Sequence, residues 1–220
     1  MSKRFTQSDF FLQRIHPVLS RIPLYDYWLL RRKSYLHSSG WFKSFKSGKS
    51  IDISGSPVPW FTYGVNELLE ERLQKHLSVF EYGSGLGTLW WAERVKSVYA
   101  VEHVKEWYDT ISEKMPSNVH IMFRNLGKQY INAITENSDA YDIIIIDGRD
   151  RNKCAMNAVD YVSEHGIIIF DDTNRDSYSE GILFLKAKGF KQLPYRGFSP
   201  IEFMECETSI FYRDENVLGI

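Results

Sequence analysis

Two isoleucine runs, Tyr141 to Asp147 (YDIIIID) and Gly166 to Asp171 (GIIIFD), restrict this chain more than any other feature. Consecutive β-branched apolar residues suit a strand covered on both faces, the usual place of a strand in a parallel sheet. From residue 65 onward, strand and helix patterns alternate around these runs. Val65, Leu68, Leu69 and Leu73 share one helical face and predict a helix over about 64–76. Strands are predicted at Ser78–Glu81, Ser97–Glu102 and Val119–Phe123, with helices at Thr88–Val95, His103–Lys114 and Gly127–Thr135. Ala155, Met156, Val159 and Val162 follow the first isoleucine run at helical spacing. After the second run come a helix at Ser177–Lys188, stopped by Gly189, and closing strands at Phe190–Leu193 and Thr208–Arg213. Such alternation, with right-handed crossovers, predicts an α/β fold with a doubly wound, mostly parallel seven-stranded sheet.

A chain of 220 residues with 43% hydrophobic and 25% charged residues buries a core unaided, which excludes a disordered or fibrous protein. The longest aliphatic stretches are Ile143 to Ile146 and Ile167 to Ile169, too short to span a bilayer. The start, MSKRFTQSDFFLQR, lacks the apolar segment and cleavage site of a secretory signal. Cys154 and Cys206 have neither disulfide-scaffold nor zinc spacing, so a cytoplasmic location is expected. The charge is uneven. Residues 1–50 hold ten Lys/Arg against Asp9 and Asp26, a formal +8, leaving −9 on the remainder of a chain whose total is −1. Residues 1–63 are therefore expected to form a basic, aromatic, mainly helical extension that packs on or caps a core domain at 64–220. Its aromatics (Tyr25, Tyr27, Trp28, Tyr35, Trp41, Phe42, Phe45) would lie on that domain with the charges solvated, the alternative being a surface for an anionic substrate, an acidic glycan, RNA or a membrane face.

Ligands of doubly wound sheets bind beyond the carboxyl ends of the strands, where the strand order reverses. The predicted ends carry Glu81 with its glycines, Glu102, Asn125, Asp147 and Asp171-Asp172. Glu81-Tyr82-Gly83-Ser84-Gly85-Leu86-Gly87-Thr88 is the central feature. A dinucleotide fingerprint, G-x-G-x-x-G, needs glycine at 88, and threonine stands there. The E-x-G-x-G-x-G arrangement instead resembles motif I of the class I S-adenosylmethionine-dependent methyltransferases, and Glu102 sits where that family keeps a ribose-binding acid. The likeness covers about 64–213 and extends to uncharacterised bacterial members. It implies S-adenosylmethionine as cofactor, with Gly83, Ser84, Gly85, Gly87 and Thr88 around the methionine and ribose, and Glu81 near the amino group. It also implies Glu102 on the ribose, His103 against adenine, Asn125 at the adenine amine, where the family often has an acid, and Asp147 bordering cofactor and substrate. NAD(P), or no cofactor at all, is the alternative.

An alcohol or phenol acceptor must lose a proton, to a base or to a metal that lowers its pKa. Asp147 and Asp172 are the candidate catalytic bases. Asp147 with Asp171-Asp172 also resembles the magnesium site of cation-dependent O-methyltransferases, a reading that Arg149 and Arg151 beside it disfavour. Arg149, Arg151 and Arg175 suit an anionic acceptor, against the commoner fate of ion pairs with nearby Asp residues, and Trp60, in Pro59-Trp60-Phe61-Thr62-Tyr63, suits a pocket wall or ordinary hydrophobic packing. The expectation is O-methylation of a small molecule or saccharide. Alternatives are an RNA-directed methyltransferase, which the acidic core disfavours, and a non-catalytic Rossmann-like nucleotide-binding protein.

Overall fold

The structure, a computed structural model, describes residues 16–19, 21–137 and 140–220. The starting segment MSKRFTQSDFFLQR, with Lys3, Arg4, Asp9 and Arg14, lies outside the described residues. Helices α1 (His16–Leu19), α2 (Pro23–Lys33), α3 (Tyr35–Ser38) and α4 (Trp41–Ser47) come first, then α5 (Tyr63–Arg72). Strands β1 (Ser78–Tyr82), β2 (Ser97–Glu102), β3 (Val119–Phe123) and β4 (Tyr141–Ile146) alternate with α6 (Leu86–Ala92), α7 (Lys105–Ser112) and α8 (Lys128–Ile131). The chain closes with α9 (Arg151–Ala158), β5 (Val162–Asp171), α10 (Ser179–Ala187), β6 (Lys191–Gly197) and β7 (Cys206–Tyr212). Among the described residues no helix is long and apolar enough to cross a membrane.

The seven strands form one sheet in the order β3-β2-β1-β4-β5-β7-β6, parallel from β3 to β5, with β7 antiparallel to both neighbours. The isoleucine runs lie at its centre, Ile143 opposite Ile167 and Ile145 opposite Ile169. Because side chains alternate along a strand, Ile143, Ile145, Ile167 and Ile169 enter one core with Val65, Leu69, Trp90 and Trp91. Ile144, Ile146, Ile168 and Phe170 enter the other with Cys154, Ala155 and Leu185.

Several boundaries differ from expectation for local reasons. The helix expected over 64–76 stops at Arg72, since Leu73 is extended (ψ 145°). The expected 127–135 helix divides into α8 and a 3₁₀ turn at Asn132–Glu136. β6 runs on through Pro194 to Gly197, which an edge strand tolerates because one side of its backbone needs no donor. The N-terminal aromatics divide too. Tyr25, Trp41 and Phe42 are half-buried, whereas Tyr27, Trp28, Tyr35 and Phe45 are exposed.

Candidate functional site

β1 and β4 are the neighbours between which the strand order reverses. Their loops meet in a cleft of about 1,010 Å³ at the carboxyl edge of the sheet, walled by Gly83, Ser84, Gly85, Gly87, Asp147 and Gly148. That volume suits a cofactor-sized ligand. Gly83 holds φ +97°, which side chains rarely adopt, and a Cβ there would meet Gly148 Cα at 3.3 Å. Gly85 differs. Its backbone is extended (φ −173°), and a Cβ would meet nothing within 4 Å, so its bare backbone faces open space.

Two buried carboxyls flank the bend. Glu102, 4% exposed, uses Oε1 to accept the N–H groups of His103 (2.7 Å) and Val104 (2.8 Å). Its Oε2 faces the bend and accepts from the Ser84 N–H (3.3 Å) and hydroxyl (3.2 Å), long bonds that a better donor can displace. Glu81 accepts from the Thr88 hydroxyl at 2.5 Å, and the same hydroxyl accepts the Gly85 N–H at 2.9 Å. Burial, reinforced by Glu102 and opposed by the Thr88 bond, pushes the Glu81 carboxyl up to about 8. Thr88 is fully buried and off the cleft wall, so it joins Glu81 to the bend in place of the expected cofactor contact. His103 lies on the wall. Asn125 does not: it is exposed, and its carbonyl accepts the Tyr130 N–H. Trp107, which sequence reasoning missed, is on the wall and donates its indole N–H to the Ser84 carbonyl at 2.7 Å. Its only signal is an aromatic in the first turn of the helix after β2.

The opposite end of the cleft is organised by Arg151. This side chain, expected to grip the acceptor, is turned instead to the protein's own oxygens. Nε donates to the Gly148 carbonyl (3.0 Å). One terminal nitrogen reaches the Asp171 carbonyl (2.6 Å) and the Asp172 carboxylate (3.1 Å). The other reaches the Asp147 carbonyl (3.0 Å) and carboxylate (2.9 Å). The guanidinium thus occupies the space between Asp147, Asp171 and Asp172. A divalent cation at about 2.0–2.6 Å from those oxygens would collide with it, so the trio does not fit magnesium. Among the described residues no group of three or more His, Cys, Asp and Glu is arranged to hold a metal.

Burial pushes Asp147 up to about 6, with Arg151 pulling down and Glu81 and Asp172 pushing further up. Asp171 is raised well above the carboxylate range by burial and by Asp147, and it accepts from the Thr208 hydroxyl at 2.6 Å. Asp172 is held by Arg151 and by Arg175 (2.9 Å). Its φ of +62°, like that of Ile201 (+74°) on the same wall, is a strained backbone of the kind found at ligand sites. Arg149 is exposed on the wall, and so is Trp60 (43%). Lys49 and Ser50 from the N-terminal region, not singled out in the sequence as site residues, also line the wall, as does Met204 from the β6–β7 loop.

No protein-family model matches the sequence, and no curated protein matches it significantly. Solved structures do. An rRNA methylase from Streptococcus thermophilus aligns with TM-score 0.54 and 16% identity over 66% of this chain and 92% of its own. Precorrin-6y C5,15-methyltransferase from Geobacter metallireducens aligns with TM-score 0.54 and 13% identity over 66% and 85%. A Streptococcus mutans protein solved in complex with SAH aligns with TM-score 0.51 and 14% identity over 67% and 94%. Together with the strand order and the glycine bend at its reversal, these alignments give the chain the Rossmann-like fold of the class I S-adenosylmethionine-dependent methyltransferases.

Proposed function

We propose that this chain is an S-adenosylmethionine-dependent methyltransferase acting on a hydroxyl of a small-molecule or saccharide acceptor. One observation carries the reading: a bend whose bare Gly85 backbone faces open space, beside a buried Glu102 whose Oε2 is only weakly engaged by Ser84. Those residues fit an adenosyl group. Gly83, Ser84, Gly85 and Gly87 would line its ribose and methionine portions, Glu102 would take the ribose hydroxyls, and His103 and Trp107 would border the base. When bound, the cofactor supplies an activated methyl group. The chain's residues must then align the acceptor and remove its proton.

Asp147 is the better base. It is poised close to neutrality, whereas the Asp172 carboxylate is already shared between two guanidinium groups. Arg151, hydrogen-bonded to Asp147, Gly148 and Asp171 and ion-paired with Asp172, is a positioning residue for both. On the acceptor side, the exposed Trp60 ring offers a face for a sugar's C–H groups, and Arg149 and Asn174 offer hydrogen bonds at its edge. Calorimetry should show binding of S-adenosylmethionine and its demethylated product but not of NAD. Glu102→Ala should weaken that binding about 10- to 150-fold, the loss of a hydrogen bond to a charged group. NAD binding indifferent to this substitution would reject the reading.

Glu81 adds a pH dependence. Its pKa of about 8 leaves it largely protonated at neutral pH. A cationic amino group brought beside it favours the ionised form, so binding releases a proton. Affinity is therefore expected to rise with pH and to level off above about 8. Calorimetry at pH 7 in buffers of different ionisation enthalpy reads the proton release directly. Glu81→Gln should abolish the buffer dependence, and a wild-type heat independent of buffer would remove Glu81 from the site.

A further inference from the structure

We propose that the N-terminal helices form a docking surface for an anionic lipid bilayer, with the mouth of the cleft at its border. Leu24, Tyr27, Trp28 and Arg31 stand at i, i+3, i+4 and i+7 of α2 and so share one face. Leu24 is 75% exposed, Tyr27 59% and Trp28 48%, while Tyr25 and Leu29 on the other side are half-buried. An apolar face turned away from its own protein is the reverse of an ordinary surface helix. Val18, Ile22 and Leu30 nearby are exposed as well, which makes a patch and not a scatter of single side chains.

The patch continues towards the cleft. The Arg31 guanidinium lies 4.6 Å over the Phe42 ring, next to Trp41, which stacks on Phe45 at 5.0 Å. Phe45 meets Phe203 at 6.3 Å, and Met204, exposed like Phe203, lines the cleft.

Charge selects the occupant. Residues 16–50 carry Arg21, Arg31, Arg32, Lys33, Lys43, Lys46 and Lys49 against Asp26 alone, a formal +6. A second copy joined about a two-fold axis would set that charge against itself. A nucleic acid would take the charge but gain little from the aliphatic Val18, Ile22, Leu24 and Leu30. An anionic bilayer uses both. The aliphatic groups enter the acyl boundary, Trp and Tyr rest at headgroup level, and the basic residues meet the anionic headgroups.

The test is co-sedimentation of the full chain with phosphatidylcholine vesicles with and without about 30% phosphatidylserine, at low and high salt. Wild type should pellet with the anionic vesicles at low salt and much less with phosphatidylcholine alone. Leu24→Ser/Trp28→Ser and, separately, Arg32→Glu/Lys33→Glu should each weaken that binding about tenfold or more with melting temperature unchanged, because these side chains are exposed. Wild type remaining in the supernatant, or binding insensitive to both double variants, overturns the proposal. So does a solution dimer that Leu24→Ser/Trp28→Ser dissolves, or retention on RNA without retention on anionic vesicles.

Discussion

Gly85→Val should remove S-adenosylmethionine binding while leaving the fold in place. The two halves of this expectation rest on separate observations. Extended backbone at φ −173° accepts valine without strain, and the new Cβ meets no atom within 4 Å. The remaining structural cost is that of valine at the N-cap of α6, about 1 kcal/mol, which for a chain of this size lowers the melting temperature by about 2–4 °C. The empty space it fills is the surface on which the cofactor would rest. Its methyl groups would occupy that space, and affinity should fall by at least about a hundredfold, or about 2.7 kcal/mol. Calorimetry against S-adenosylmethionine, beside a thermal melt, reads both halves. Ordinary affinity would mean that no ligand approaches this bend. A melting point lowered by much more than about 4 °C would mean that the bend is not open.

The bend was legible in the sequence because its constraints are local. Glycine spacing decides where bare backbone can occur, and a strand of fixed length puts Glu102 beside that backbone. The sheet was legible for a similar reason, since runs such as Ile143 to Ile146 fit only a strand covered on both faces. What sequence does not carry is the direction of a side chain whose position depends on distant segments. Asn125 follows the third strand as expected, yet it faces solvent. Thr88 is turned inward to Glu81, although it adjoins the glycines. The cleft wall draws Lys49 and Trp107 from two separate parts of the chain, and neither is marked by local spacing. The N-terminal aromatics show the same limit: their composition suggested packing, but not which face of α2 would be turned inward.

Arg151 is the clearest case of a residue whose role depended on its surroundings, and its removal should have the largest effect on stability. It is 9% exposed and lies between three carboxyl groups from the ends of β4 and β5. Arg151→Met keeps much of the volume but leaves Asp147 and Asp172 without their shared cation, and the carbonyls of Asp147, Gly148 and Asp171 without a donor. Breaking a buried charge pair from one side costs about 3–5 kcal/mol, so the melting temperature should drop by about 6–20 °C.

The pH dependence identifies the cause. Arg151 lowers the pKa values of Asp147 and Asp171, so its loss raises them in the folded state while leaving the unfolded state nearly unchanged. The folded variant then holds more protons than the folded wild type, and its stability falls more steeply as pH rises. The gap between the two melting curves should therefore widen from pH 5 to pH 8, across the wild-type Asp147 value of about 6. Adding Asp147→Asn to Arg151→Met should recover part of the loss, because one stranded charge is gone. Arg151→Lys should fall between, since an ammonium restores the charge but cannot span five acceptors. A constant gap across that range, or a variant as stable as wild type at pH 8, would show that Arg151 is not what keeps these carboxyl groups in place.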